Sequence, residues 1–117
     1  MPSRIERIET IRAFDQDVKV LKRKHYDLEL MLEPIRAIVD GDHELLASRF
    51  RDHALTGEWT GYRELHITGD WLLVYFIDDG GLVLVLTRAA THDELYSSKS
   101  PKKIIKTYRQ VPRRRFR

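Results

Sequence analysis

The alternation of polar and apolar positions changes period along the chain, and each change marks an element. Ile11, Phe14, Val18 and Leu21 recur three or four apart, with Asp15, Asp17, Lys19, Lys22 and Arg23 between them. That spacing predicts an amphipathic helix. Leu28, Met31, Leu32, Ile35 and Val39 repeat the pattern, with Asp27 placed to cap a second helix and Gly41 to stop it. Pro34 falls inside this second stripe and predicts a kink or a split. Together the two segments predict a helical hairpin. Ile5 to Glu9 before them predicts a short edge strand, and His43 to Arg49 after them a further helical turn.

Past the loop "LTGEWTG" the period falls to two. Arg63, Leu65 and Ile67 alternate with Tyr62, Glu64 and His66, which predicts a half-buried strand. Thr68-Gly69-Asp70 turns the chain. Trp71 to Ile77 is almost wholly apolar, as a central strand requires. "DDGG" at 78–81 signals a hairpin, because glycine accepts positive φ, and Leu82 to Thr87 reads as the last strand. The predicted class is α+β, with an N-terminal helical hairpin packed on a small, mainly antiparallel twisted sheet.

A chain of 117 residues has the size of one domain. It holds no cysteine, so a disulfide framework and a thiolate metal site are both excluded. The start "MPSRIERIET" lacks the apolar core of a signal peptide, and the apolar runs are too short to span a bilayer. These features fit a cytoplasmic protein with no membrane partner. The net charge of +3 conceals a division. From Ser97 onward there are nine Lys or Arg and no acid, whereas residues 1–96 hold 12 basic and 18 acidic residues, about −6. Residues 1–96 therefore read as the domain and 97–117 as a basic C-terminal extension, joined through a linker at Ser97 to Pro101. The tail cations Lys102, Lys103, Lys106, Arg109, Arg113, Arg114, Arg115 and Arg117 suit RNA, the ribosome or an acidic partner surface; a solvated extension without a specific role has the same composition.

Three of the five histidines, His53, His66 and His92, lie in or beside the hairpin-rich segment. In an antiparallel meander the end of the last strand returns to the turn after His66. His53, His66, Asp70, Arg88 and His92 can then share one rim. Histidine gives and takes a proton near neutral pH. Two such groups across a phosphodiester can serve as general base and general acid, with an arginine neutralising the phosphate. RNA carries its own nucleophile in the 2′-OH, so this chemistry calls for no cofactor. Zinc is the competing use of histidines and carboxylates, but no close pair such as His-x-x-His is present. Each histidine taken singly also fits a structural or surface role, and His25 and His43 have no supporting neighbours.

The segments "DHALTGEWTGYRELHITGDWLLVYFID" and "LVLVLTRAATHDELY" closely resemble the YafQ-like branch of the RelE superfamily, bacterial toxin mRNA interferases of toxin–antitoxin modules. The matched positions are Asp52, His53, Leu55, Gly57, Trp59, Gly61, Tyr62, Arg63, Glu64, His66, Asp70, Trp71, Arg88, Thr91, His92 and Tyr96. Ala54, Glu64 and the run "RAATH" depart from the family's usual proline, aspartate and glycine. The resemblance covers residues 4 to 96 and implies a RelE-like fold. It implies an endoribonuclease that cuts mRNA in the ribosomal A site and is neutralised by a cognate antitoxin. It makes His53, His66, Asp70 and His92 the catalytic group, with Arg88 stabilising the phosphate. Tyr96, Arg63, Glu64 and Trp71 become substrate contacts. The rival expectation is a RelE-like scaffold that binds RNA, ribosome or antitoxin without cutting. Large aromatics also dominate small cores, which gives Trp59, Tyr62 and Trp71 a packing role as an alternative.

Overall fold

The apolar runs pair into one five-stranded sheet. The computed structural model describes residues 5–95. Tyr96 and the cations of the basic tail lie outside them. The strands are β1 (Arg7–Thr10), β2 (His53–Ala54), β3 (Arg63–Thr68), β4 (Trp71–Asp78) and β5 (Val83–Thr91), in the order β1-β5-β4-β3-β2. Only β1 runs parallel to its neighbour, so the sheet is mainly antiparallel, as expected. The helices are α1 (Arg12–Arg23), α2 (Leu32–Asp40), α3 (His43–Ser48) and α4 (His92–Leu95).

β4 is central and its first five residues, Trp71 to Tyr75, are all buried, which explains the unbroken apolar run. Gly80 and Gly81 take φ of 67° and 96° in the turn to β5, the conformation glycine admits without strain. β5 runs four residues past the expected end at Thr87. Tyr75 pairs with Leu86 but Val74 pairs with Arg88, so Thr87 is the extra residue of a bulge and the ladder resumes beyond it. β3 departs from the half-buried expectation, since Glu64 is buried beside Leu65.

The expected helical hairpin takes a different form. α1 ends in a Schellman motif: Tyr26 N–H bonds to Leu21 O at 3.0 Å and His25 N–H to Lys22 O at 3.1 Å. His25 occupies the left-handed position with φ of 62°, so its place in the fold is a backbone one. Asp27 then caps a 3-10 turn at Leu28–Met31 instead of an α-helix, accepting from Glu29 N–H at 3.2 Å. α2 starts at Leu32, which puts Pro34 in the first turn, where a missing N–H costs nothing. α2 packs on this turn and on α3, while α1 packs on β5.

α1 takes over where β1 stops. Ile11 N–H bonds to Leu86 O, and further on Asp17 meets the open edge of β5. Its carboxylate accepts from Ala89 N–H at 3.0 Å, the donor a neighbouring strand would otherwise satisfy. The same carboxylate takes Arg88 Nε at 2.6 Å and Nη2 at 3.0 Å, with both side chains only 13% exposed. Asp17→Ala is expected to cost about 3 kcal/mol, because it leaves a mostly buried cation and a backbone donor without a partner. Urea unfolding measures it. Asp17→Ala/Arg88→Met should lose less than the two single variants added together. A single-variant loss below about 1 kcal/mol would mean that this pair does not hold the edge.

Candidate active site

Paired residues of an antiparallel ladder face the same side of the sheet. His53 pairs with Glu64, Glu64 with Val74 and Val74 with Arg88, which makes one row across one face. His66, Leu72 and Ala90 form the next row. One step beyond, Trp71 pairs with Thr91 and the chain leaves the sheet at Asp70 on one side and His92 on the other. His92 N–H donates to Asp70 O at 2.9 Å. The register thus puts His66 one row from the end where Asp70 and His92 leave the sheet, with His53 one row further back on the outer strand β2. Among the described residues, no three His, Asp or Glu side chains are grouped to hold a metal ion.

The loop before β2 positions two of the histidines. Phe50 O accepts the backbone N–H of His66 at 2.7 Å, and Arg51 O lies 2.8 Å from His53 Nδ1. A carbonyl only accepts, so that ring nitrogen carries the proton. The other nitrogen, Nε2, lies 3.5 Å from Glu64 Oε1. The His53 side chain is 49% exposed and that of Glu64 only 8%. Glu64 therefore lies beneath the His53 ring and helps to orient it, and its side chain is buried instead of facing outward. His66 lines a groove of about 560 Å³ together with Arg49, Arg51 and the Thr68-Gly69 turn.

His92 opens α4, where Thr91 and Glu94 form a capping box. Thr91 N–H and Oγ1 donate to Glu94 Oε1 at 3.1 and 3.0 Å, and Glu94 N–H returns to Thr91 Oγ1 at 3.3 Å. Lys24 at the end of α1 reaches Glu94 Oε2 at 3.3 Å. Burial alone would raise the Glu94 carboxyl. The bonds from Thr91 and the Lys24 charge outweigh it and hold the carboxyl below its ordinary 4.5. The Thr-x-x-Glu spacing is visible in the sequence and marks this helix start.

The model of the family described as the bacterial toxin of type II toxin–antitoxin system, YafQ, matches residues 6–97. The chain belongs to the YafQ toxin family. The mRNA interferase toxin YafQ of Escherichia coli K12 is 32% identical over 89 residues, spanning 76% of this chain and 94% of that protein. YafQ in the E. coli DinJ–YafQ toxin–antitoxin complex superposes with a TM-score of 0.67 at 29% identity, over 80% of this chain and 99% of that one. A metal-bound toxin from Helicobacter pylori gives 0.66 at 34% identity, over 82% and 100%.

Three expected contacts of this YafQ-family toxin have other roles. Trp71 is 1% exposed and stacks edge-on against Tyr26 at 5.1 Å, so it belongs to the core. Arg88 shares a face with the histidines, but its guanidinium is clamped by Asp17. Arg63 faces the opposite side of the sheet with Tyr75 and donates to Asp52 Oδ2 through Nε at 3.0 Å and Nη2 at 2.9 Å. Tyr75 OH donates to Asp52 Oδ1 at 2.6 Å. Asp52 is thereby fixed one residue before His53. Tyr96 lies outside the described residues.

Burial first, then the hydrogen bond to Asp52, raises the Tyr75 hydroxyl above its ordinary 10.0. The folded state therefore favours the neutral phenol. Its contribution is complete below pH 10 and fades as pH climbs toward the folded value. Tyr75→Phe should cost about 2 kcal/mol at pH 7, and urea unfolding at pH 11 should find the gap to wild type narrowed. A gap that widens with pH would contradict the role given to this hydroxyl. A second expectation concerns His92. Glu94→Ala removes the capping box, so stability should fall by about 1 kcal/mol. Cleavage should fall about tenfold, because His92 loses its anchor. Unchanged activity with reduced stability would separate the box from the chemistry.

Proposed function

We propose that this YafQ-family toxin is an endoribonuclease that cuts mRNA in the ribosomal A site. The observation that supports the reading is the placement of His53 and His66 in successive rows of one sheet face, next to the end where His92 N–H bonds to Asp70 O. The name of the E. coli relative, an mRNA interferase, supports the same substrate class. In the proposed step the 2′-OH attacks the adjacent phosphorus and gives its proton to a base drawn from His53, His66 and Asp70. His92 protonates the departing 5′ oxygen. The products are a 2′,3′-cyclic phosphate and a 5′-hydroxyl, so charge and protons balance without a metal or other cofactor.

The DinJ–YafQ complex supports a cognate antitoxin as the natural partner of this chain. Ribosomes and mRNA are the other partners in this reading, which sets the protein in the cytoplasm. Among the described residues no helix is long and apolar enough to cross a membrane. The tail cations Lys102 to Arg117 supply long-range attraction to RNA over a body of opposite charge.

The rival, a binding scaffold without chemistry, needs only cations and aromatics and gives no reason for an acid–base set. Mapping of mRNA ends on programmed ribosomes decides between them. His92→Ala is expected to cut about 10²–10⁴-fold more slowly with ribosome binding retained. Cleavage within about threefold of wild type would remove His92 from the reaction.

A further inference from the structure

Arg88 is spent on Asp17, which leaves the rim without its expected phosphate cation. The groove beside His66 supplies another. Arg49 lines it but is paired with Glu33 at 2.6 Å. Arg51 lines it too, is exposed, and makes no side-chain ion pair or hydrogen bond among the described residues. Its backbone has φ of 54°, a left-handed conformation that side-chain-bearing residues rarely adopt. The surroundings enforce it. Phe50 O is taken by His66 N–H, Arg51 O by the His53 ring, Asp52 N–H by Leu46 O, and the Asp52 carboxylate by Arg63 and Tyr75. A residue held in this way between two candidate catalytic histidines, with an unpaired cation in the groove of one of them, is positioned for a ligand.

We propose that Arg51 binds a backbone phosphate of the mRNA next to the one that is cut. This rests on the ribonuclease reading and adds the residue that seats the strand against His66. A guanidinium fits phosphate through two donors, whereas Arg88 has already given Nε and Nη2 to a carboxylate. The contact is made in ground state and transition state alike, so it acts on affinity and not on the chemical step.

The test uses ribosomes programmed with a defined mRNA, with the toxin carrying His92→Ala for binding and native His92 for cleavage. Arg51→Gly removes the cation and also relieves the positive φ, so the variant is expected to melt no lower than wild type. Its affinity should fall about tenfold, with a salt slope shallower by about 0.7, while single-turnover cleavage at saturation stays within about twofold. Arg51→Lys should recover part of the affinity. Arg36→Ala, an exposed cation on α2 outside this groove, should change none of these. A methylphosphonate at one flanking phosphate of the mRNA should weaken binding of the Arg51 protein and leave the Arg51→Gly protein unaffected. Undiminished affinity with an unchanged slope in Arg51→Gly overturns the proposal. So does a loss of affinity in which every methylphosphonate effect persists, since Arg51 would then contact something other than the mRNA. If the wild type leaves mRNA intact, the ribonuclease reading falls, and the binding arm still decides Arg51.

Discussion

The sheet rim depends on one carboxylate. β1 covers only the first half of β5, and the second half would present open backbone groups to solvent. Asp17 closes that edge by accepting from Ala89 N–H, and it draws Arg88 into the same junction. α1 is thereby locked alongside β5, and its end delivers Lys24 to Glu94. The start of α4, and with it His92, is therefore referenced to α1 as well as to the sheet. A helix of four residues has little stability alone. The Thr91–Glu94 box and the Lys24 contact are what make so short an element a fixed platform.

A second carboxylate plays the matching part at the other edge. Asp52 accepts from Arg63 and Tyr75 on the face away from the histidines, while the next residue, His53, turns to the face of Glu64 and His66. β2 is only two residues long, too little to hold its register by ladder bonds alone. The Asp52 anchor supplies what the ladder lacks. It also explains the left-handed backbone at Arg51, because a chain tied on both faces within three residues must reverse abruptly.

The physics separates what was legible in the sequence from what was not. The central strand, the hairpin turn, the Gly41 stop and the approach of His92 to Asp70 follow from periodicity, glycine and antiparallel return, all local or nearly local signals. The roles of Arg63, Arg88 and Trp71 do not. Asp17 and Arg88 are separated by 71 positions, and nothing in either neighbourhood names the other. Glu64 reads as an outward polar residue in an alternating strand, and only the pairing of β2 shows why it is buried. The length of β5 was hidden by the Thr87 bulge, which shifts the phase so that an arginine looks like the end of a strand. Resemblance conveys which residue types stand at which positions, whereas the use of each guanidinium is decided by the acid that reaches it.

That competition among acids shapes the electrostatics of the domain. Asp17 and Asp52 hold Arg88 and Arg63, Glu33 holds Arg49, and Glu94 holds Lys24. The part-buried pairs of Asp17 and Asp52 stabilise the scaffold, and each of the four removes one cation from the field that an RNA strand would meet. Residues 1–96 already carry more acids than bases, about −6, so every internal pair makes the accessible cations scarcer. Screening confines exposed charges to about 8 Å at physiological salt. On the proposed reading, attraction at a distance must then come from the nine cations after Ser97, and discrimination at contact from the few unpaired ones beside the histidines. Arg51 is the cation of that kind in the His66 groove. The division also limits unproductive binding, since a body that repels phosphate admits a strand only where a guanidinium and the acid–base groups face it together.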